Sequence, residues 1–212
     1  GALFHDIGKQ KVPDIIRRKK THFSDHEVNF LNMHPKFGYD MLDKSGLFPA
    51  KVLDILLHHH EWIDGSGYPH GLKGNQITIE TQVVSLANDF ERLLRGGEAR
   101  SPQVALGYLF KNRVDKHDPA MIATLVKVLG IYPPGTLVSL SSGDVAKVMV
   151  TTSAVKKPIV LSCNDDGLEP ELRFLQDESV EIVSVIKVEQ LSAAAIKALD
   201  AKSPVSFYFS TL

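Results

Sequence analysis

Cysteine is nearly missing: Cys163 alone stands in 212 residues, so no internal disulfide framework staples this fold, which fits a reducing compartment. An excess of one charge is missing as well. The 24 Lys and Arg and 25 Asp and Glu leave a formal net charge of -1, which gives no global attraction to DNA or to an anionic membrane surface. No apolar run approaches the roughly 18 residues that a bilayer-spanning helix needs, and no charged-then-apolar leader opens the sequence. Repeats and low-complexity tracts are also absent. The opening GALFHDIGK starts inside an apolar stretch with no cap residue, so the expectation is a longer protein that precedes Gly1.

What the chain has is histidine, in one place. Eight of its 9 histidines fall between His5 and His70, and only His117 lies beyond. Periodicity and turn chemistry divide the chain in a similar way. Residues 2 to 8 read as the end of a helix closed by Gly8, and Pro13 opens a short helix to Arg17. Ser24 with Glu27 forms a capping-box pattern for a helix over 25–44, with Pro35 as a kink or break. Pro49 starts an apolar-striped helix whose last turn holds His58, His59 and His60. After a glycine-rich loop from Asp64 to Asn75, helices are predicted over 79–94, 102–113 and 119–129, the last two opened by Ser101-Pro102 and Asp118-Pro119. Beyond Tyr132-Pro133-Pro134-Gly135 the signal turns β-branched. Strands are predicted over 136–140, 145–151, 158–162 and 205–209, with a short helix at 193–199. The expected architecture is mainly α, a helical domain over 1–132 followed by a small β-rich appendage over 133–212.

The chemistry sits in the first third. His5-Asp6 is an adjacent imidazole and carboxylate, His34 lies on a second helix, and His59-His60 follow a third, which is how helical bundles assemble metal sites in their cores. A lone His34 is more often a core or surface residue than a ligand, but the joint pattern favours metal. Adjacent helical side chains diverge by about 100°, so at most two of the three consecutive histidines share one pocket. His22, His26, His70 and His117 read as surface residues. Mixed imidazole and carboxylate ligation suits iron, manganese or zinc, metals that activate water and neutralise a phosphoryl group. Lys9 is either a phosphate contact or an ordinary exposed lysine. Gly65 and Gly67 allow close backbone approach to a ligand and Tyr68 offers a ring for stacking, although a structural Gly-Tyr-Pro turn has the same sequence.

These residues resemble the HD-GYP domains, the branch of the HD metallohydrolase superfamily that acts on cyclic dinucleotides. HDIGK at 5–9, HPKFG at 34–38, HHEWIDGSGYP at 59–69 and GLKG at 71–74 match in order and spacing. The likeness covers about residues 1–140, and PPGTLVSLSSGD at 133–144 resembles an extension that many members carry. The resemblance implies an all-α HD bundle with two or three divalent metals, commonly iron or manganese. It further implies hydrolysis of cyclic di-GMP to pGpG or GMP by metal-activated hydroxide in the bacterial cytoplasm, downstream of a sensory domain and alongside GGDEF-type signalling partners. His5, Asp6, His34, His59 and His60 fall on the family's metal ligands, Lys9 on a phosphate-contacting lysine with Asp6 in the catalytic pair, and Gly65, Gly67, Tyr68 and Pro69 on the namesake loop.

There are departures from the pattern. Members also draw a glutamate and often a histidine from helices before the HD pair, and this sequence starts after those positions. Where members place an aspartate ligand, LANDFERLL holds Asn88, with Asp89 one place along. Asparagine brings no negative charge and weakens cation retention; Asp89 substitutes only with a shift of helix register. The family's substrate-contacting stretch is reduced to LRGGEAR, where only Arg100 lines up. The alternative expectation is an attenuated or inactive domain that binds cyclic di-GMP or a partner protein.

Overall fold

The computed structural model describes residues 1–19, 21–95 and 101–203. Backbone proximity divides the chain into two compact units, Gly1–Glu91 with Asn112–Met121, and Arg92–Lys111 with Ile122–Leu212. The sequence reading divides it once, between 132 and 133, whereas the second unit also takes in most of two helices.

In the first unit, two 3₁₀ turns, Ala2–Phe4 and Ile7–Lys11, flank His5 and Asp6. They stand where the end of a longer helix is predicted, and Gly8 does not close it. Gly8 is instead a contact point: a Cβ there would lie 1.9 Å from the His34 carbonyl oxygen and 2.4 Å from the Gly38 amide nitrogen. Helix α1 (Asp14–Arg17) is short, and α2 (Asp25–Leu31) begins with a complete Ser24/Glu27 capping box. The predicted helix over 25–44 is in fact two, because α3 (His34–Asp43) starts afresh with Pro35 in its first turn. Proline has no N–H to offer the Leu31 carbonyl four residues back, so the hydrogen-bond ladder stops there.

Helix α4 (Ala50–His58) buries Leu53 and Leu56 and ends one residue before His59. A 3₁₀ turn (Gly74–Gln76) then leads into α5 (Ile79–Arg95), which buries Leu86 and Phe90. Packing of α3 on α4 and on the second 3₁₀ turn forms the centre of this unit.

Helices α6 (Pro102–Asn112) and α7 (Pro119–Leu129) open at their prolines, and Gly130 follows α7 with φ of +77°. Five antiparallel strands then form one sheet in the order β4-β3-β2-β1-β5: β1 Leu137–Leu140, β2 Val145–Val150, β3 Ile159–Cys163, β4 Glu171–Phe174 and β5 Ile182–Val185. Alternation along β1 sends Val138 and Leu140 to one core with Val148, Val160 and Leu175, and Leu137 to another with Cys163, Leu191, Ala195 and Leu199. Helix α8 (Ala193–Ala198), capped by Ser192, contributes Ala195 to that second core. The two edge strands, β4 and β5, have no counterpart in the sequence reading. Glu171 and Arg173 are poor strand formers, and Val183 is two-thirds exposed, so neither edge shows a clean buried alternation. The strand predicted over 205–209 lies outside the described residues.

Candidate metal centre and the loop beside it

Three interruptions of helical structure aim three imidazoles. His34 Nδ1 lies 2.7 Å from the Leu31 carbonyl that Pro35 cannot use, His59 Nδ1 lies 2.9 Å from the Leu56 carbonyl at the end of α4, and His5 Nδ1 lies 2.7 Å from the Ala2 carbonyl. A carbonyl only accepts, so each Nδ1 carries the hydrogen and donates. In a neutral ring the lone pair is then on Nε2.

Two of those lone pairs, on His34 and His59, meet. Asp6, His34, His59 and His60 each bring one ligand atom to within 4.8 Å of the others. His34 Nε2 lies 3.3 Å from His59 Nε2, 3.2 Å from His60 Nε2 and 3.2 Å from Asp6 Oδ1, while His59 Nε2 is 3.8 Å from that oxygen. Asp6 Oδ1 is buried and accepts no hydrogen bond among the described residues. The opposed lone pairs of His34 and His59 beside a buried carboxylate oxygen repel one another unless a cation sits among them, and with His60 as a further imidazole these residues fit a divalent transition metal.

Electrostatics agrees with the geometry. Burial raises the Asp6 carboxyl, but the close contacts with His34, His59 and Lys9 outweigh it and hold the group far below the usual carboxylate range. Burial, with the His59 and His34 rings beside it, pushes His60 down to about 2, and burial likewise lowers His59. His59 and His60 are thus neutral near pH 7, the form in which imidazole binds metal.

The other candidates are distributed around this group. His5 Nε2 is 3.5 Å from Asp6 Oδ2, and its ring meets His59 edge-on at 5.0 Å. Lys9 Nζ is held by Asp6 Oδ2 at 2.5 Å. Asp89 does not join: it is buried with His117 Nε2 at 3.1 Å and Arg113 Nε at 3.5 Å. Asn88 is half-buried beside it on α5, and Arg100 lies outside the described residues. The surface placement read for His117 is therefore corrected, since its imidazole partners a buried acid; no local pattern signals a pair 28 positions apart.

The loop after His60 is built over the group. Gly67 packs so closely that a Cβ would lie 2.5 Å from His60 O, Glu61 Cα and Trp62 N, whereas Gly65 needs φ of +84°. Buried Glu61 accepts from the backbone N–H of His70 at 2.6 Å and of Leu72 at 3.0 Å. Tyr68, which precedes Pro69, stacks on His60 with centroids 4.6 Å apart and planes 18° from parallel. Asp64 accepts from the Ser66 backbone at 2.8 Å and from its hydroxyl. His58 turns away, with Nδ1 2.8 Å from Asp54 Oδ1. The i,i+4 spacing of that pair on one helix is a signal the sequence does contain.

Comparison with known proteins points the same way. The HD domain family model matches residues 1–121. The cyclic di-GMP phosphodiesterase PA4108 of Pseudomonas aeruginosa is 35% identical over 150 residues, 70% of this chain and 36% of that protein. The cyclic di-GMP phosphodiesterase response regulator RpfG of Xanthomonas campestris is 37% identical over 130 residues, 59% of this chain and 34% of its own length. The chain thus spans about a third of the length of these curated relatives. Among solved structures, Bd1817, a HDG"Y"P protein from Bdellovibrio bacteriovorus, is similar with a TM-score of 0.50 and 27% identity, covering 58% of this chain and 40% of that one. The chain belongs to the HD domain family.

Proposed function

We propose that this chain is the HD-GYP portion of a bacterial, metal-dependent phosphodiesterase that hydrolyses cyclic di-GMP to pGpG, GMP or both. The observation that carries this reading is the partly buried convergence of three imidazole nitrogens and the Asp6 carboxylate. The relatives' names supply the substrate class. Asp6, His34, His59 and His60 hold the metal, with His5 beside Asp6; two or three ions, iron or manganese, are the number and kind that the family resemblance implies. Such a metal, when bound, polarises a phosphoryl oxygen and lowers the pKa of water.

The protein's own groups do the rest. Lys9 is close enough to exchange its contact with Asp6 for a phosphate oxygen, as a point charge. Tyr68, stacked on His60, brings an aromatic ring of the kind that packs against a guanine base to the edge of the site. Gly67 lets the loop lie directly on the backbone of the ligand segment. In the whole protein, a sensory domain and GGDEF-type partners govern or supply the substrate. Hydrolysis of cyclic di-GMP by the Mn²⁺-loaded protein, followed chromatographically, tests the reading. Turnover is expected, with none in Asp6→Ala, and equal turnover in that variant overturns it.

A second reading rests on Asn88 and Asp89. With Asp89 engaged by His117 and Arg113, the converged group contains one carboxylate, which favours an attenuated domain that binds cyclic di-GMP and signals by conformation. Binding without turnover in the wild type, with turnover in Asn88→Asp, decides for this second reading.

A further inference from the structure

Beside the metal group runs a second polar chain with the opposite logic. The hydroxyls of Thr78 and Thr81 both lie 2.8 Å from Asp54 Oδ2; Asp54 Oδ1 accepts from His58 Nδ1 at 2.8 Å, and His58 Nε2 lies 3.0 Å from His70 Nδ1. The carboxylate only accepts, so His58 carries its hydrogen on Nδ1, its Nε2 accepts, and His70 Nδ1 donates. Each of these contacts pairs a hydrogen with a lone pair while both rings are neutral, and no ion is needed to link them.

What this chain holds is the loop. His70 stands two residues after Tyr68, and its own N–H is fixed by Glu61. Tyr68 in turn is placed by its N–H on the His60 carbonyl at 3.2 Å and by its stack on the His60 ring. His60 depends on that stack more than its fellows do. His34 and His59 are oriented by carbonyls on Nδ1, and His60 has no such hydrogen bond among the described residues.

We propose that Asp54, His58 and His70 are positioning residues that pin the far end of the loop, hold Tyr68 against His60 and thereby aim the His60 lone pair into the metal group. This rests on reading that group as a metal site. Outer hydrogen-bond partners of metal-binding histidines typically change metal affinity 10- to 100-fold when removed.

The test compares His58→Ala, His70→Ala and His70→Asn in the full-length protein. The asparagine keeps a donor where Nδ1 stood and discards the remainder of the ring. Two readouts are used: hydrogen exchange of the Gly67 and Tyr68 amides, and Mn²⁺ affinity by calorimetry. Both alanine variants are expected to speed those amides at least about 10-fold, with α4 unchanged, and to weaken Mn²⁺ binding about 10-fold. His70→Asn is expected to restore both. Unchanged exchange and affinity in His70→Ala, or an asparagine variant no better than alanine, overturns the proposal. A wild type that binds Mn²⁺ yet leaves cyclic di-GMP intact overturns the proposed activity alone, whereas one that binds no Mn²⁺ overturns both.

Discussion

His59 and His60 lie next to each other in sequence but are oriented by different means, one by a main-chain carbonyl and the other by an aromatic ring. Both are held neutral by burial and by neighbouring imidazoles. The pH dependence follows from that. Between about 2 and the ordinary value of 6.5 the unfolded chain binds protons at His60 that the folded chain does not. Stability of the metal-free protein therefore rises with pH across that window and is lost as pH falls below about 6.5. Thermal unfolding in EDTA should show Tm falling from pH 7.5 to 5, and a Tm that is flat or rises toward acid would contradict it. All four converging residues belong to motifs visible in the sequence, because the spacing of histidines along helices limits which can share a pocket. Their partners were not visible. The Leu31 and Leu56 carbonyls carry no side-chain signature, and the Asp89–His117 and His58–His70 pairs join positions with no common period.

Among the elements, the contact between the second 3₁₀ turn and α3 matters most to the site, because it sets Asp6 against His34. Gly8 makes it possible. In Gly8→Ala the new methyl meets main chain that has nowhere to move, so a cost of about 1–3 kcal/mol is expected, together with weaker Mn²⁺ binding as Asp6 moves away. Gly107 supplies the contrast: it lies inside α6 with open space where a Cβ would go, so alanine there should stabilise by about 0.5–1 kcal/mol. Urea denaturation of the two variants checks both signs, and a neutral Gly8→Ala would remove this account of how Asp6 is placed. Helices announced by a cap or by a proline in the first turn were legible at their starts, α2, α6 and α7 among them. The turns around His5 were not, since 3₁₀ and α share apolar spacing over so short a run. Strands β1 to β3 carry a β-branched signal that the edge strands lack.

In the molecule as a whole, the first unit is discontinuous, and residues 112–121 return to it after an excursion. The Asp89 carboxylate, accepting from His117 and facing Arg113, fastens the returning segment, while Lys116 lies over the Trp62 ring at 3.4 Å and its carbonyl accepts from the Ile63 N–H at 3.1 Å. His117→Ala removes one partner of a buried acid and is expected to cost about 1–3 kcal/mol. Chemical denaturation measures it, and a change below about 0.5 kcal/mol would show that the segment is held by something else. A single composition change near 132 was legible in sequence, but this return was not, because a discontinuous unit leaves no linker to read. The three carbonyl-held rings carry one more implication. Each takes its aim from main chain three residues earlier, so the donor geometry survives replacement of almost any neighbouring side chain. What it does not survive is a change of length: one residue inserted or deleted within 31–34 or 56–59 rotates His34 or His59 off its carbonyl and out of the converged group.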